Sequence, residues 1–444
     1  MRFFIGCLLA CLLAFPYPVL TNAEEAFPDV DDLPVIEALP DPLVRFDGTA
    51  VTSAEQWRAE RRPELIALFE HYMFGKAPPP PENFSFTVED VDEQALGGKA
   101  TRKIVTLRFG PEGTPPVSLL LVVPNGRQGP SPVFLGLNFV GNHTTMDDPA
   151  IPLTEAWVND SWSGGSEGRA EDDQRGIRAA GGSRPRWYFE KAVDRGYAVA
   201  TMYAGEISPD YSGGGGGRAF TEGIHQGWLE EGQNWPGDTE WHTIAAWAWG
   251  LSRGVDYLVQ DEHIDSRRIA VFGHSRLGKT ALLAGALDER FTVVIPSQSG
   301  AGGAAPARNI SPGAESVERV NRFTHWFNAN YKRFNEQVER MPFDMHCLIA
   351  VCAPRPVLLT NATGDRWADP PGQFDMLVAA EPVYRLLGVE NPLATHEFPE
   401  ENVLVDSTLG YHIRPGRHDM TDVEWRAWFE FAEQHWGDPP SPTP

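Results

Sequence analysis

From residue 53 onward, apolar and polar positions fall into two alternating rhythms. Residues 53–73 (SAEQWRAERRPELIALFEHYM) repeat apolar side chains at helical spacing, with Ser53 placed as an N-cap and Gly75 as a stop. Three strand patterns follow, SFTVEDV, ATRKIVTLRFG and VSLLLVVP, and then a continuous apolar run, SPVFLGLNF, of the kind buried on both faces. The pattern next predicts a helix over WYFEKAVDRG, a strand over YAVATMYAG and a long helix over TEWHTIAAWAWGLSRGVDYLVQ. Strand RRIAVFGHS, helix RLGKTALLAGALD and strand FTVVIPSQS come after these. The remainder reads as helix SVERVNRFTHWFNANYKRF, strand RPVLLTNAT, helix AAEPVYRLLG, strand NPLATHEF and a last helix, VEWRAWFEFAEQHW. Strands alternating with helices, the strands apolar throughout, predict a mostly parallel sheet with helices on both faces, an α/β three-layer sandwich. No internal repeat divides the 444 residues, so residues 53–438 form one catalytic-size domain.

The ends and loops change the picture in a few places. Residues 1–23 run from Arg2 through an apolar stretch to small residues at Thr21 and Ala23, a secretory signal peptide cut after Ala23. A lipoprotein signal ending at Cys11 is disfavoured because the apolar residues continue past it. Pro16 and Pro18 break the run too early for a membrane span, and no later segment has the length for one. The mature protein is therefore secreted or periplasmic. Residues 24–52 read as an extended lead-in, residues 76–83 as a Pro-rich linker, residues 141–186 as a long polar loop and residues 439–444 as a disordered tail. The Gly-rich insert at residues 212–220 reads as a flexible surface segment. A formal net charge of −24 argues against a nucleic-acid partner, since a phosphate-binding face needs clustered Lys and Arg. Fourteen tryptophans suit either a large core or sugar-stacking surfaces. Of four cysteines two fall in the signal, and the remaining pair, Cys347 and Cys352, makes neither a disulfide scaffold nor a metal site. No HExxH or similar metal motif occurs, so no cofactor is expected.

The candidate chemistry sits in VFGHSRLGKTALL. A strand runs into Gly273-His274-Ser275 and a helix follows, the setting of a serine nucleophile on a sharp strand-to-helix turn. The second glycine of G-x-S-x-G is displaced by one place: Leu277 stands there and Gly278 follows. A helix N-cap serine would occupy the same place. A nucleophile needs a base and an acid, in the order Ser, acid, His along this fold. Asp365 stands just past the strand at residues 356–360, and His418 in the loop before the last helix, whose start is marked by Thr421 and Asp422. His412 lies earlier, in a strand-like run. Ser275, His418 and Asp365 thus form the expected triad, with the Arg276 amide as oxyanion donor.

The segment GHSRLGKTAL resembles the nucleophile region of the glucuronoyl esterases, carbohydrate esterase family 15, which carry G-C/H-S-R-x-G-K in place of the ordinary elbow. Further matching segments are EWHTIAAWAWGLSRGVDYL, SGAGGAA, FTHWF, MPFDMHCLIAVCAPRPVL, DRWADPPGQF and RHDMTDVEW. The resemblance covers roughly residues 54–436. It implies an α/β-hydrolase fold and hydrolysis of esters between the carboxyl of (4-O-methyl)glucuronic acid on glucuronoxylan and lignin alcohols; a monomer is expected. It also implies that Arg276 supports the oxyanion, that Lys279 and Glu315 contact sugar hydroxyls, and that Trp367 packs on the uronate ring. Many members carry a catalytic Glu where this chain has Gln298; an amide cannot be the anionic partner of His, so the acid falls to Asp365, and Gln298 is counted among the substrate-binding residues, hydrogen-bonding near the site. Two rival readings are another carbohydrate esterase, such as an acetyl xylan esterase, and a non-catalytic glycan-binding protein that kept the fold.

Overall fold

The computed structural model describes residues 27–163, 167–180, 186–211, 213 and 217–439. The expected signal peptide, most of the C-terminal tail, and Ser212 and Gly214 to Gly216 of the insert lie outside the described residues.

One ten-stranded sheet organises the chain. Its strands are β1 (Ser85–Ala95), β2 (Ala100–Arg108), β3 (Val117–Pro124), β4 (Ser131–Asn138), β5 (Ala198–Tyr203), β6 (Ile264–His274), β7 (Val293–Ser297), β8 (Val357–Ala362), β9 (Leu404–Val405) and β10 (Leu409–Arg414). They lie in the order β1-β2-β3-β5-β4-β6-β7-β8-β10-β9. The run from β5 to β10 is parallel, and the flanking pairs are antiparallel. This is the expected α/β architecture. Period-two alternation sorts side chains between two cores: Val133, Leu135, Val271 and Val294 face one, while Phe134, Phe272, Val293 and Ile295 face the other.

The opening helix, α1, is built of four consecutive pieces, Ala54–Gln56, Trp57–Arg61, Arg62–Phe69 and Glu70–Phe74. Ser53 caps it by accepting from the Gln56 amide, and Gly75 ends it at φ 77°, as the pattern predicts. Two of the pieces are π-helical; the first immediately precedes Arg62-Pro63, where proline has no N–H for the regular ladder. The other principal helices are α2 (Phe189–Asp194), α3 (Thr243–Leu258), α4 (Arg276–Leu287), α5 (Met345–Val351), α6 (Pro370–Leu386) and α7 (Asp422–Trp436). Helices α1 and α3 to α6 cover one face of the sheet; α2 and α7 cover the other.

Three expectations need correction. Residues 316–334 do not form one helix but two single turns, Val317–Val320 and Ala329–Lys332. Asn328 interrupts the pattern: its side chain caps the second turn and donates to the Glu70 and His71 carbonyls, so the long-range contact overrides the periodicity. NPLATHEF is not a strand; the partner of β8 is β10, where Leu409 to Arg414 are buried on both faces. The extended lead-in lies against the domain from residue 27 on. Val30 and Leu33 are buried, and carbonyls of Pro28, Pro40 and Pro42 accept from Tyr72 Oη, His346 Nε2 and Arg61 Nε at 2.7, 2.8 and 3.1 Å. The insert is not wholly on the surface, since Ala219 and Phe220 are fully buried and Phe220 packs against His225, Trp235 and His242. Cys347 and Cys352 are free buried thiols.

Candidate active site

Strand β6 runs through the middle of the sheet, and α4 must start within one residue of its end to pack back on it. Ser275 is that residue, at φ 59° and ψ −128°, a strained conformation for a side chain with a Cβ. Its hydroxyl makes no capping bond to the helix, which removes the simple N-cap role. The turn is crowded on both sides. A Cβ at Gly273 would lie 2.0 Å from the Leu277 carbonyl oxygen, and one at Gly278 would lie 2.8 Å from that of Ser297. The displaced second glycine therefore does the work of the usual one: it lets α4 approach β7. The Ser275 amide donates to Ser297 O at 2.9 Å, and its carbonyl accepts from Gly278 and Lys279.

Asp365 follows β8, and His418 follows β10, the neighbouring parallel strand. Their loops touch where Gly364 N donates to Gly416 O at 2.7 Å, and a Cβ at Gly364 would collide with that oxygen at 2.4 Å. This close approach sets the His418 Nδ1 to Asp365 Oδ2 hydrogen bond at 2.6 Å. A carboxylate only accepts, so Nδ1 carries the proton and Nε2 is the basic nitrogen. Asp365 is buried, while the His418 side chain is 40% exposed. The His418 ring lies 4.4 Å from that of His274, the residue before the nucleophile. Burial first, and then His418, Arg414 and Arg276, hold His274 well below the usual histidine range, so it offers His418 a neutral surface. His412, the alternative, is buried inside β10.

The His418 loop is braced from behind by residues that sequence reading assigned otherwise or missed. Gln298 stands at φ 46° with its amide fully engaged: Nε2 donates to Asp419 O at 2.6 Å, and Oε1 accepts from Asp419 N at 3.1 Å. It is buried, so its expected substrate contact is replaced by a contact that fixes the residue after His418. Arg414 pairs with buried Glu424 and donates to the carbonyls of Pro415, Arg417 and Asp419. Burial pushes the Glu424 carboxyl up, against the pull of Arg414 and the Thr421 bonds. Glu424 also closes a capping box with Thr421, and Thr421-x-x-Glu424 was a visible signal. Nothing local in the sequence marks Arg414.

Arg276 opens α4. Its guanidinium lies between Trp162 and Trp326, 4.4 and 4.8 Å from their ring centroids, with Nη1 2.5 Å from Asp210 Oδ2. Nε of Arg276 is buried and unpartnered among the described residues. Asp210 Oδ1 accepts from His325 Nε2 and Trp326 Nε1, both at 2.9 Å. Burial works against the Asp210 charge, but Arg276, His325 and Trp326 together hold its carboxyl well below the usual range. Lys279 lies one turn further on, buried, with Nζ 2.6 Å from Ser299 O, 2.5 Å from Ala301 O and 3.2 Å from Glu315 Oε2. Burial lowers Lys279, and Glu315 opposes the shift. Lys279 and Glu315 are thus brought together as an ion pair. Trp367 stands two residues past Asp365, 44% exposed, with the Arg319 guanidinium 4.9 Å from its ring and its carbonyl accepting from Glu315 N. It is the one tryptophan among the exposed large apolar side chains of the described residues. Among those residues no cluster of His, Cys, Asp and Glu could hold a metal ion.

Comparison with known proteins adds the following. A family model for fungal glucuronyl esterases matches residues 234–388. A carbohydrate esterase of an unknown prokaryotic organism is 47% identical over 400 residues, 89% of this chain and 89% of its own. A solved structure of a promiscuous CE15 esterase from a marine bacterial metagenome shares 46% identity over 92% of this chain and 99% of its own, with a TM-score of 0.81. The glucuronoyl esterase of Solibacter usitatus shares 40% over 92% of this chain and 100% of its own, with a TM-score of 0.81.

Proposed function

The chain belongs to carbohydrate esterase family 15 and is a carboxylic ester hydrolase of the glucuronoyl esterase type, and on that premise we propose that it cleaves the ester joining the carboxyl of (4-O-methyl)glucuronic acid on glucuronoxylan to lignin alcohols. The observation that carries this reading is the His418–Asp365 hydrogen bond, set one ring away from the strained Ser275 turn. His418 Nε2 takes the proton from Ser275 Oγ as the oxygen attacks the ester carbonyl, and Asp365 stabilises the imidazolium through Nδ1–H. The tetrahedral oxyanion receives the Arg276 backbone N–H at the start of α4 and the unpartnered Arg276 Nε–H. Collapse expels the alcohol, which leaves with the proton from His418, and an acyl-Ser275 remains. Water then attacks with His418 as base, Ser275 Oγ regains a proton and the uronate departs. Trp367 offers an exposed ring for the sugar, and Glu315, whose amide donates to the Trp367 carbonyl, pairs with Lys279. A signal peptide over residues 1–23 delivers the enzyme outside the cytoplasm; among the described residues no helix is long and apolar enough to cross a membrane.

The test compares benzyl glucuronate with an acetylated xylan oligomer on purified mature protein. Turnover of benzyl glucuronate alone is expected. Release of acetate alone would keep the triad and overturn the substrate. Silence on both, from folded protein, would favour a glycan-binding protein.

A further inference from the structure

Both cations that open α4 are matched by an acid. Arg276 is paired with Asp210 at 2.5 Å and Lys279 with Glu315 at 3.2 Å. A third acid, Asp365, sits on His418 Nδ1. His418 is neutral when it is ready to act as a base. His325 also touches Asp210 through Nε2, and its Nδ1 is buried with no partner among the described residues. Arg276 and Lys279 are thus each matched by one carboxylate, and Asp365 adds a third beside them. Arg319 and Arg366 stand nearby but are exposed, so water and salt screen them.

This balance bears on the product. The ester is neutral, while hydrolysis leaves a carboxylate. A guanidinium between aromatic rings, short of water and with no counter-ion, is a strong carboxylate receptor. It would hold the uronate it had helped to form. Asp210 removes that attraction in place, and His325, Trp326 and Arg276 fix its carboxylate so that it does not swing away. Arg276 Nε–H remains a donor for the concentrated charge of an oxyanion.

From the Arg276–Asp210 and Lys279–Glu315 pairs beside Ser275 we infer that Asp210 is a specificity-determining residue: by neutralising Arg276 it makes the site prefer the neutral glucuronate ester to the uronate anion, so the product is released. The inference rests on the substrate reading above and adds to it the charge state the site selects.

The experiment uses the full mature chain carrying Ser275→Ala, in which an ester persists, and calorimetric titration with 4-O-methylglucuronate and with its methyl ester. The Ser275→Ala protein is expected to bind the ester at least as tightly as the acid. Adding Asp210→Asn should tighten the acid at least tenfold relative to the ester. Adding Arg276→Gln instead leaves Asp210 unpaired and should weaken the acid tenfold relative to the ester, which tests the same balance if Asp210→Asn does not fold. An unchanged ester-to-acid ratio in a folded variant, even with a lower Tm, would give Asp210 a structural role only and overturn the inference. Binding of neither ligand by the Ser275→Ala protein would overturn the substrate reading instead.

Discussion

Ser275, Asp365 and Gln298 show how much a single position decides. Ser275 is held at positive φ because a strand ends and a helix starts on either side of it, and such strain persists only where the surroundings enforce it. Ser275→Ala should keep the fold and lose at least about a thousandfold in kcat, measured with benzyl glucuronate and circular dichroism. Asp365→Asn removes the charge that fixes the His418 tautomer, and a loss on the order of 10³–10⁴-fold is expected. Gln298→Ala acts through the backbone of Asp419; it should lose less than about a hundredfold in activity and roughly 1–3 kcal/mol in stability. An inactive Gln298→Ala beside an active Asp365→Asn would move the acid away from Asp365. The candidates Ser275, Asp365 and His418 could be picked out because the fold prescribes their order along the chain, and the structure joins Asp365 to His418. Asp210 could not be picked out: it lies in ISPDYSGG beside the insert, and its importance comes from Arg276, 66 residues later.

Between elements, the contact of α4 with β7 is the one the reaction depends on most. Gly278 lies in the first turn of α4, where alanine ordinarily raises helix stability by up to about 1 kcal/mol. Here the added Cβ meets the backbone oxygens of Ser297 at 2.8 Å and Gly273 at 3.1 Å. Gly278→Ala should therefore destabilise the protein, by about 1–3 kcal/mol in thermal melts, and lower activity with it. A Tm equal to or above the parent's would show that α4 does not need this approach. Strand β2 and helix α7 were readable because each buries one repeated face, and β3 to β6, α3 and α4 because their runs are apolar and buried almost throughout. Residues 316–334 were misread as one helix because their apolar spacing serves two short turns and the loop that carries Trp326 to Arg276.

For the molecule as a whole, buried histidines set the response to acid. Burial lowers His225 and His242 from 6.5 to about 3, and His143 and His412 to about 4. In the unfolded chain these groups take up protons below pH 6.5; in the fold they stay neutral. Stability therefore falls as pH drops below 6.5, each group contributing a slope of up to about 1.4 kcal/mol per pH unit. Glu70 and Glu206, raised by burial from 4.5 to about 7, act in the opposite sense between pH 7 and 4.5 and offset part of the loss. Tm should decline gently from pH 6.5 to 4.5 and steeply below that. A flat Tm from pH 6.5 to 4 would mean that these rings are protonated in the fold. His225 and His242 pack around Phe220, so limited proteolysis in acid should cut first near the Gly-rich insert.

By itself the sequence determined the α/β class, and it pointed to the turn at Ser275 and to Asp365 rather than Gln298 as the candidate acid ahead of His418. These follow from local periodicity, from where glycine must stand, and from the fact that an amide carries no charge. The tertiary structure alone decided which charges cancel. Asp210 reaches Arg276, Glu315 reaches Lys279 and Glu424 reaches Arg414 across 66, 36 and 10 residues. Asp210, Arg276 with Lys279, and Glu315 follow the central strands β5, β6 and β7, while Arg414 and Glu424 flank the loop that carries His418, and no spacing along the chain records these pairings. It also turned Gln298 from a substrate contact into a brace. The reason is physical: a hydrogen bond or ion pair depends on distance and burial, and for residues far apart in the chain the packing of the sheet and its two helical layers sets both.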